Sequence, residues 1–290
     1  MFAIALQQKK YKTYTLSDLA FNSSINVVPE RGGIITSWCV KNQELLFLDS
    51  ERFDNPELTI RGGIPILFPI CGNLSNNRYK YNRNNYFIKR HGFARDLPWQ
   101  VVENSTKDKA SITLVLISNI LTKTVYPFDF KLTFTYQLKG NSLEILQTYA
   151  NLSNTERMPF STGLHPYFLA PNKEQLRFHI PSMQYVDQKK GTLHDNNCKF
   201  DYKLNEVNAI FKRLTGLATT VYDQSRGLRI TMSYSSAYST LVFWTVKNQN
   251  FYCLQPWTAP PNSLNTDYRV VYLEPGSSCQ MVTRLTAIFV

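Results

Sequence analysis

Apolar and polar residues alternate along most of this chain, and a period of two predicts β-strands. Between residues 130 and 138 every second side chain is large and apolar, which is typical of a strand with one buried face. Gly140 and Asn141 follow, a pair suited to a tight hairpin turn, and the alternation then resumes from Leu143. The same pattern predicts strands in four other segments: 112–117, 228–234, 241–246 and 270–273.

Helical patterns are nearly absent from the sequence. Residues 204–214 come closest and predict a short helix or turn, and the polar stretches 73–85 and 187–197 predict loops. No repeat, low-complexity tract or linker divides the chain. Many short strands without intervening helices are typical of a sandwich or barrel, so we expect one large antiparallel β-sandwich domain over residues 1–290.

Composition and charge restrict the function classes. The 290 residues are 43% hydrophobic and 18% charged, which excludes an intrinsically disordered chain. Lys and Arg exceed Asp and Glu by 32 to 21, and the net charge of +11 permits anionic ligands such as phosphorylated sugars, acidic glycans or nucleic acid. The basic residues are scattered and do not interleave with aromatic residues along any strand. We therefore expect no nucleic-acid partner.

The sequence also bears on location. The longest apolar run, residues 64–71, contains two prolines and is far shorter than the roughly 20 residues of a membrane helix. The first ten residues lack the pattern of a signal peptide. The five cysteines form no CxxC pair, which indicates neither a disulfide framework nor a structural zinc site. We expect a cytoplasmic protein with no membrane partner and no metal.

Four short blocks combine glycine or proline with aromatic and polar residues. Glycine lets the backbone approach a ligand closely, and aromatic rings suit the C–H faces of sugars. A single histidine is more commonly structural, and the arginine and proline blocks could equally be a surface turn and a braced crossover loop. The blocks are 58–69 with Arg61, 89–95 with His91 and Arg95, 161–168 with His165, and 251–262 with Gln255 and Trp257.

In order and spacing, the four blocks resemble the aldose 1-epimerase (galactose mutarotase-like) superfamily, including its hexose-6-phosphate epimerase branch. The resemblance implies a single supersandwich β domain that interconverts the α and β anomers of a sugar without a cofactor. It also implies that His165 protonates the ring oxygen, with a pKa near the ordinary value of about 6.5. Arg61, His91 and Arg95 would then bind the sugar or its substituent, and Trp257 would form a platform beneath it.

Two positions depart from the family pattern. The resemblance places a catalytic glutamate at position 255, where this chain has Gln255, and a substrate-binding aspartate at position 208, where it has Asn208. An amide has no useful basicity, so Gln255 cannot accept the anomeric proton as a carboxylate would. The substitute bases considered are Asp223, Asp267 and Glu274.

Two hypotheses follow from these departures. One is an aldose 1-epimerase, active in full or attenuated form on a hexose or hexose phosphate. The other is a non-catalytic carbohydrate-binding protein that keeps the fold and pocket. In both cases we expect a small-molecule sugar or sugar phosphate as partner and a monomer or homodimer.

Overall fold

The computed structural model describes residues 1–289 and is built almost entirely of antiparallel β-strands. The first five strands form one sheet in chain order. Their bounds are β1 Phe2–Gln8, β2 Lys12–Asp18, β3 Ser23–Val28, β4 Ile34–Val40 and β5 Gln43–Glu44. Two further pairs form ribbons: β7 (Arg78–Tyr81) with β8 (Asn84–Phe87), and β13 (Met158–Phe160) with β24 (Val271–Leu273).

Two larger sheets carry most of the chain. The first eight-stranded sheet contains, in spatial order, β16 (Leu176–His179), β20 (Ala218–Asp223), β21 (Leu228–Tyr234), β25 (Ser278–Phe289), β12 (Ser142–Asn151), β11 (Phe130–Lys139), β10 (Ala110–Ile117) and β9 (Gln100–Ser105). The second contains β18 (Leu193–Asp195), β17 (Gln184–Asp187), β19 (Glu206–Phe211), β22 (Thr240–Val246), β23 (Phe251–Trp257), β14 (Gly163–Leu164) and β6 (Ile66–Leu67), with β15 (Tyr167–Leu169) also paired to β23.

Helices are few and short. The α-helices are α1 Ser50–Asp54, α2 Ile120–Val125 and α3 Ser263–Thr266, and 3-10 turns occur at Ser75–Asn77, Ala94–Asp96 and Lys173–Gln175. Among residues 1–289, no helix has the length and apolar character needed to cross a lipid bilayer.

The core lies where the sheets face one another. Strand β11 buries every second side chain, as its alternation requires. Leu16 of β2, Phe134 of β11 and Phe243 of β22 belong to one continuous cluster of buried apolar side chains, so all three sheets contribute to it. The predicted all-β sandwich is confirmed.

The strand predictions from periodicity are confirmed. Residues 130–138 lie in β11, and Lys139 pairs with Ser142 across a two-residue turn in which Gly140 has a φ of 58°. The segments predicted at 112–117, 228–234, 241–246 and 270–273 coincide with β10, β21, β22 and β24 to within a few residues.

The prediction for residues 204–214 is wrong, because they contain β19. That strand lies between β17 and β22, and Ala209, Ile210 and Phe211 are all buried, so both faces are covered and the alternation disappears. The loop predictions for 73–85 and 187–197 miss β7, the start of β8, and β18. These are short, largely exposed strands, and burial does not impose an apolar period on them.

Candidate active site

One face of the second eight-stranded sheet carries several of the predicted site residues. Ile210 of β19 lies opposite Val242 of β22, which lies opposite Gln255 of β23. Side chains alternate between faces along a strand, so positions 208, 210, 242, 244, 255 and 257 share one face. Contacts within a buried cluster that includes Ile210, Val242 and Trp257 agree with this assignment. We call this surface the Gln255 face.

Two glycines hold the surrounding loops close to the sheets. Gly63 has a φ of 61°, and a Cβ there would lie 2.3 Å from the carbonyl oxygen of Ile35. Gly92 has a φ of 73°, and its Cβ would lie 2.0 Å from the carbonyl oxygen of Phe68. Any side chain at these positions would collide with backbone, so glycine is required where the loops bring Arg61 and His91 to the site.

His91 is fixed by its backbone and by its ring. Its own φ is 68°, a left-handed conformation that costs energy for a non-glycine residue. Its N–H donates to the carbonyl oxygen of Gly72 at 2.9 Å, and the Gly72 N–H donates to Nδ1 of the ring at 3.0 Å. The backbone of the loop at Gly72 therefore holds both the main chain and the ring of His91.

Arg90 places a second donor against the same ring. Its Nε–H donates to Nε2 of His91 at 3.2 Å. Both ring nitrogens of His91 therefore face hydrogen-bond donors, and the ring is not free in this arrangement to act as a base.

His165 stands among aromatic rings. Its ring stacks on Tyr167 at 4.6 Å between centroids, and it meets the rings of His91 at 5.5 Å and Trp244 at 5.9 Å edge-on. Its backbone N–H donates to the carbonyl oxygen of Pro65 at 3.0 Å. Its Nδ1 is buried without a hydrogen-bond partner among the described residues. Packing therefore sets the position of the ring, and its Nδ1 remains available for a hydrogen bond to a ligand.

A cavity of about 560 Å³ opens over these two histidines. Two carboxylates and five cations line it together with the aromatic wall. The acidic residues are Glu57 and Asp96, and the cations are Arg52, Arg61, Lys89, Arg90 and Arg95.

Most of this positive charge is uncompensated. Arg52 pairs with Asp49 at 3.5 Å, and Arg95 lies 3.9 Å from Asp96. Within residues 1–289, no carboxylate lies within 4.0 Å of the three other cations of the cavity. A cavity with this excess of charge suits an anionic ligand.

Burial and the neighbouring cations lower the pKa of both histidines. Burial lowers the pKa of His165 well below its ordinary value, and Arg95 and Arg90 lower it further. Burial likewise lowers the pKa of His91, followed by Arg95, His165 and Arg90. The expectation of an ordinary pKa for His165 is therefore wrong, and both rings are neutral at neutral pH.

Gln255, Asn208 and Trp257 lie on the same face but are not among the residues that line the cavity. Gly163 pairs with Trp257 and Tyr167 with Cys253, and this register places His165 beside Gln255 on the neighbouring strand. The side chain of Gln255 is 2% exposed. In the described part of the chain, Gln255 Oε1, Asn208 Oδ1 and Trp257 Nε1 are buried without hydrogen-bond partners.

The three substitute carboxylates lie elsewhere. Asp223 ends β20 in the first eight-stranded sheet and accepts from the hydroxyl of Ser225 at 2.5 Å. Asp267 accepts from the hydroxyl of Tyr272 at 2.6 Å, and Glu274 is ion-paired on the surface. None of them lines the cavity, so the structure brings no substitute base from this group to His165.

The sequence predictions missed several residues that line the cavity. Lys89, Arg90 and Tyr167 lie inside the glycine-containing blocks, so their neighbours gave a usable signal. Arg52 on α1 and Trp244 on β22 had no such signal. Within residues 1–289, no group of three or more His, Cys, Asp or Glu side chains could hold a metal ion.

Comparisons with known proteins identify the family. Residues 14–286 match the family model described as aldose 1-epimerase. The Slr1438 protein from Synechocystis has a solved structure with a TM-score of 0.95, 40% sequence identity and full coverage of both chains. A galactose mutarotase-like protein from Clostridium acetobutylicum shares the fold, with a TM-score of 0.82, 19% identity and coverage of 100% of this chain and 99% of that one.

A relative from Cenchrus ciliaris, named "Putative glucose-6-phosphate 1-epimerase", is 30% identical over 170 residues, which are 55% of this chain and 48% of that protein. The family match covers nearly the whole chain, and the structural matches extend over all of it. The β-sandwich is the galactose mutarotase-like fold, and the chain belongs to the aldose 1-epimerase family.

Proposed function

We propose that the protein interconverts the α and β anomers of a hexose phosphate, at a rate limited by the amide at position 255. The observation that carries this proposal is the cavity in which five cations surround two neutral histidines. The glucose 6-phosphate in the name of the relative from Cenchrus ciliaris supports the same substrate class.

A phosphate group fits the charge of the cavity better than an uncharged hexose does. A phosphate ester is close to a dianion at neutral pH, and charge-assisted hydrogen bonds from arginine to phosphate are among the stronger ones in proteins. Within the described residues, no carboxylate lies within 4.0 Å of Arg61 or Arg90, so a phosphate group would not have to displace an ion pair there. Arg90 donates its Nε–H to Nε2 of His91, which leaves the two terminal nitrogens of its guanidinium for an oxygen of the ligand.

The same phosphate would prepare His165 for catalysis. Ring opening requires a proton on the ring oxygen, and a neutral imidazole is a poor acid for that step. A dianion bound at Arg90 and Arg95 would offset the charges that lower the pKa of His165. Binding of an anionic substrate would therefore raise the pKa of His165 and favour its acidic form.

The other half of the reaction lacks a protein base. The C1 hydroxyl must release its proton, and it finds no acceptor in the amide of Gln255 or in His91, whose two ring nitrogens both face hydrogen-bond donors. Glu206 is nearby but already accepts from Trp244 at 2.7 Å and pairs with Lys189 at 2.7 Å. In this proposal the C1 proton passes to water. Ring closure after rotation about C1–C2 returns both protons.

A non-catalytic sugar-phosphate-binding protein is the second candidate. The observation in its favour is that the carboxylates lining the cavity, Glu57 and Asp96, are exposed, whereas position 255 is buried. Such a protein would bind the sugar phosphate with the same cations and leave its anomers at their spontaneous rate.

Anomer exchange measured by NMR separates the two candidates. The proposal expects exchange of glucose 6-phosphate above the spontaneous rate, with glucose and galactose slower. Arg61→Gln should weaken this activity, whereas Arg284→Gln, a control at a surface ion pair of the other sheet, should not change it. Tight binding of glucose 6-phosphate without added exchange would favour the binding protein, and faster exchange of glucose than of its phosphate would contradict the phosphate assignment.

We also propose a cytoplasmic, single-domain protein over residues 1–290 that is a monomer or homodimer. The five unpaired cysteines support a reducing location, and the continuous core supports one domain. Light scattering of the purified protein measures its mass. A larger assembly would contradict this proposal.

A further inference from the structure

A second cavity, of about 450 Å³, lies on the same sheet. Strands β17 and β19 form its floor, and the segment after β23 forms its wall. Six of the residues that line it are Val186, Gln188, Ile210, Pro260, Pro261 and Tyr268. The proposed mutarotation of a single hexose does not require this cavity. Of the residues in the four sequence blocks, only Pro260 and Pro261 line it.

The register places this cavity directly beside the first one. The N–H of Gln188 donates to the carbonyl oxygen of Asn208, and Asn208 lies opposite Trp244 of β22. Gln188 lines the second cavity and Trp244 lines the first. Neighbouring strands are about 4.8 Å apart, so the two walls are separated by about 10 Å, with Asn208 of β19 between them.

The residues at this junction have unused hydrogen-bonding groups. Gln188 Nε2 and Asn208 Oδ1 are buried, and in the described part of the chain neither has a partner. One is a donor and the other an acceptor, so a single hydroxyl group could accept from the first and donate to the second. Buried polar groups are normally satisfied, which makes a hydroxyl-bearing ligand the natural partner here.

The rest of the cavity suits a sugar ring. Pro260, Pro261 and Ile210 give apolar walls, and Tyr268 adds an aromatic face that is 49% exposed. The guanidinium of Arg269 lies 5.7 Å from the centre of the Tyr268 ring. Apolar walls and an aromatic ring match the C–H faces of a pyranose, while the amide of Gln188 matches one of its hydroxyls.

We propose that the second cavity binds the second pyranose ring of a reducing disaccharide whose reducing-end hexose occupies the first cavity. The assignment of the reducing end to the first cavity rests on the proposed function. The saccharide subsite at Gln188 and Tyr268 does not rest on the proposed function, because saccharide binding can be measured without turnover.

The test compares calorimetric binding of maltose, cellobiose and glucose to the full chain. At least one disaccharide should bind about tenfold more tightly than glucose, which is the gain expected from one additional aromatic contact and its hydrogen bonds. Tyr268→Ala should abolish that preference and leave glucose binding unchanged. Tyr222→Ala is the matched control, because Tyr222 is a similarly exposed tyrosine, at 44%, on the other eight-stranded sheet.

The outcomes separate this inference from the proposed function. Equal affinities for glucose and both disaccharides would overturn the subsite, as would a preference that survives in both Tyr268→Ala and Gln188→Ala. An absence of disaccharide binding would overturn it too. If a disaccharide binds with the expected preference but glucose 6-phosphate is not turned over, the subsite stands and the proposed function fails.

Discussion

Replacing Gln255 by glutamate is the most direct test of the proposed chemistry. The change puts a proton acceptor of nearly the same shape beside His165 on the neighbouring strand. Mutarotation of glucose 6-phosphate should become faster, because the C1 hydroxyl would then lose its proton to a positioned carboxylate instead of to water.

The magnitude follows from the surroundings of residue 255. Gln255 is 2% exposed, so burial would raise the pKa of a carboxyl group there from its reference of about 4.3 and strengthen it as a base, while the cations of the cavity would oppose this shift. General base catalysis contributes about 10²–10⁴-fold, or about 2.7–5.4 kcal/mol of activation free energy. A buried carboxylate with incomplete hydrogen bonding should also lower folding stability by about 1–3 kcal/mol.

The assay is NMR exchange spectroscopy between the two anomers, followed from pH 5 to pH 9. Gln255→Met serves as the control, because it preserves the approximate size without adding a base. A Gln255→Glu variant that binds glucose 6-phosphate but exchanges it no faster than wild type would refute the reasoning. A wild-type rate that already equals the variant's would show that another group is the base.

Three further results are expected. His165→Ala should lower any exchange by about 10²–10⁴-fold with little change in melting temperature, and an unchanged rate would reject His165 as the acid. The two kinetic parameters should depend differently on pH. The value of kcat/KM should fall as pH rises through the lowered pKa of His165 in the free protein, whereas kcat for a phosphorylated sugar should fall only at a higher pH. Identical pH profiles would contradict a rise in the pKa of His165 on phosphate binding. Gly92→Ala should destabilise the fold far more than Gly276→Ala, since both have positive φ but only the Cβ at position 92 meets backbone, and equal melting temperatures would contradict that contact.

The sequence was sufficient to predict the fold class because a strand that is buried on one face alternates between apolar and polar residues. In β11 a buried face demands an apolar residue at every second position, so Phe130 and its successors could be recognised without neighbours. Strand β19 shows where this fails. Its last three residues are buried on both faces, and that condition depends on β17 and β22 lying beside it.

For the site, the sequence supplied the residue types of Arg61, His91, His165 and Gln255, together with glycines that allow close backbone approach. It could not supply their surroundings. Arg52 and Arg90 are far apart along the chain, and their shared cavity arises only from folding. The neutral state of His165 has the same origin, because it depends on burial and on the distance to Arg95.

The sequence by itself determined the β class, the four chemical blocks and the amides at positions 208 and 255. These are properties of single residues or of short periods along one strand. Tertiary structure alone decided that Asp223, Asp267 and Glu274 lie away from the cavity, that the cations outnumber the carboxylates around His165, and that a second cavity adjoins the first. Each of these depends on register between strands distant in sequence, and local pattern carries no information about such register.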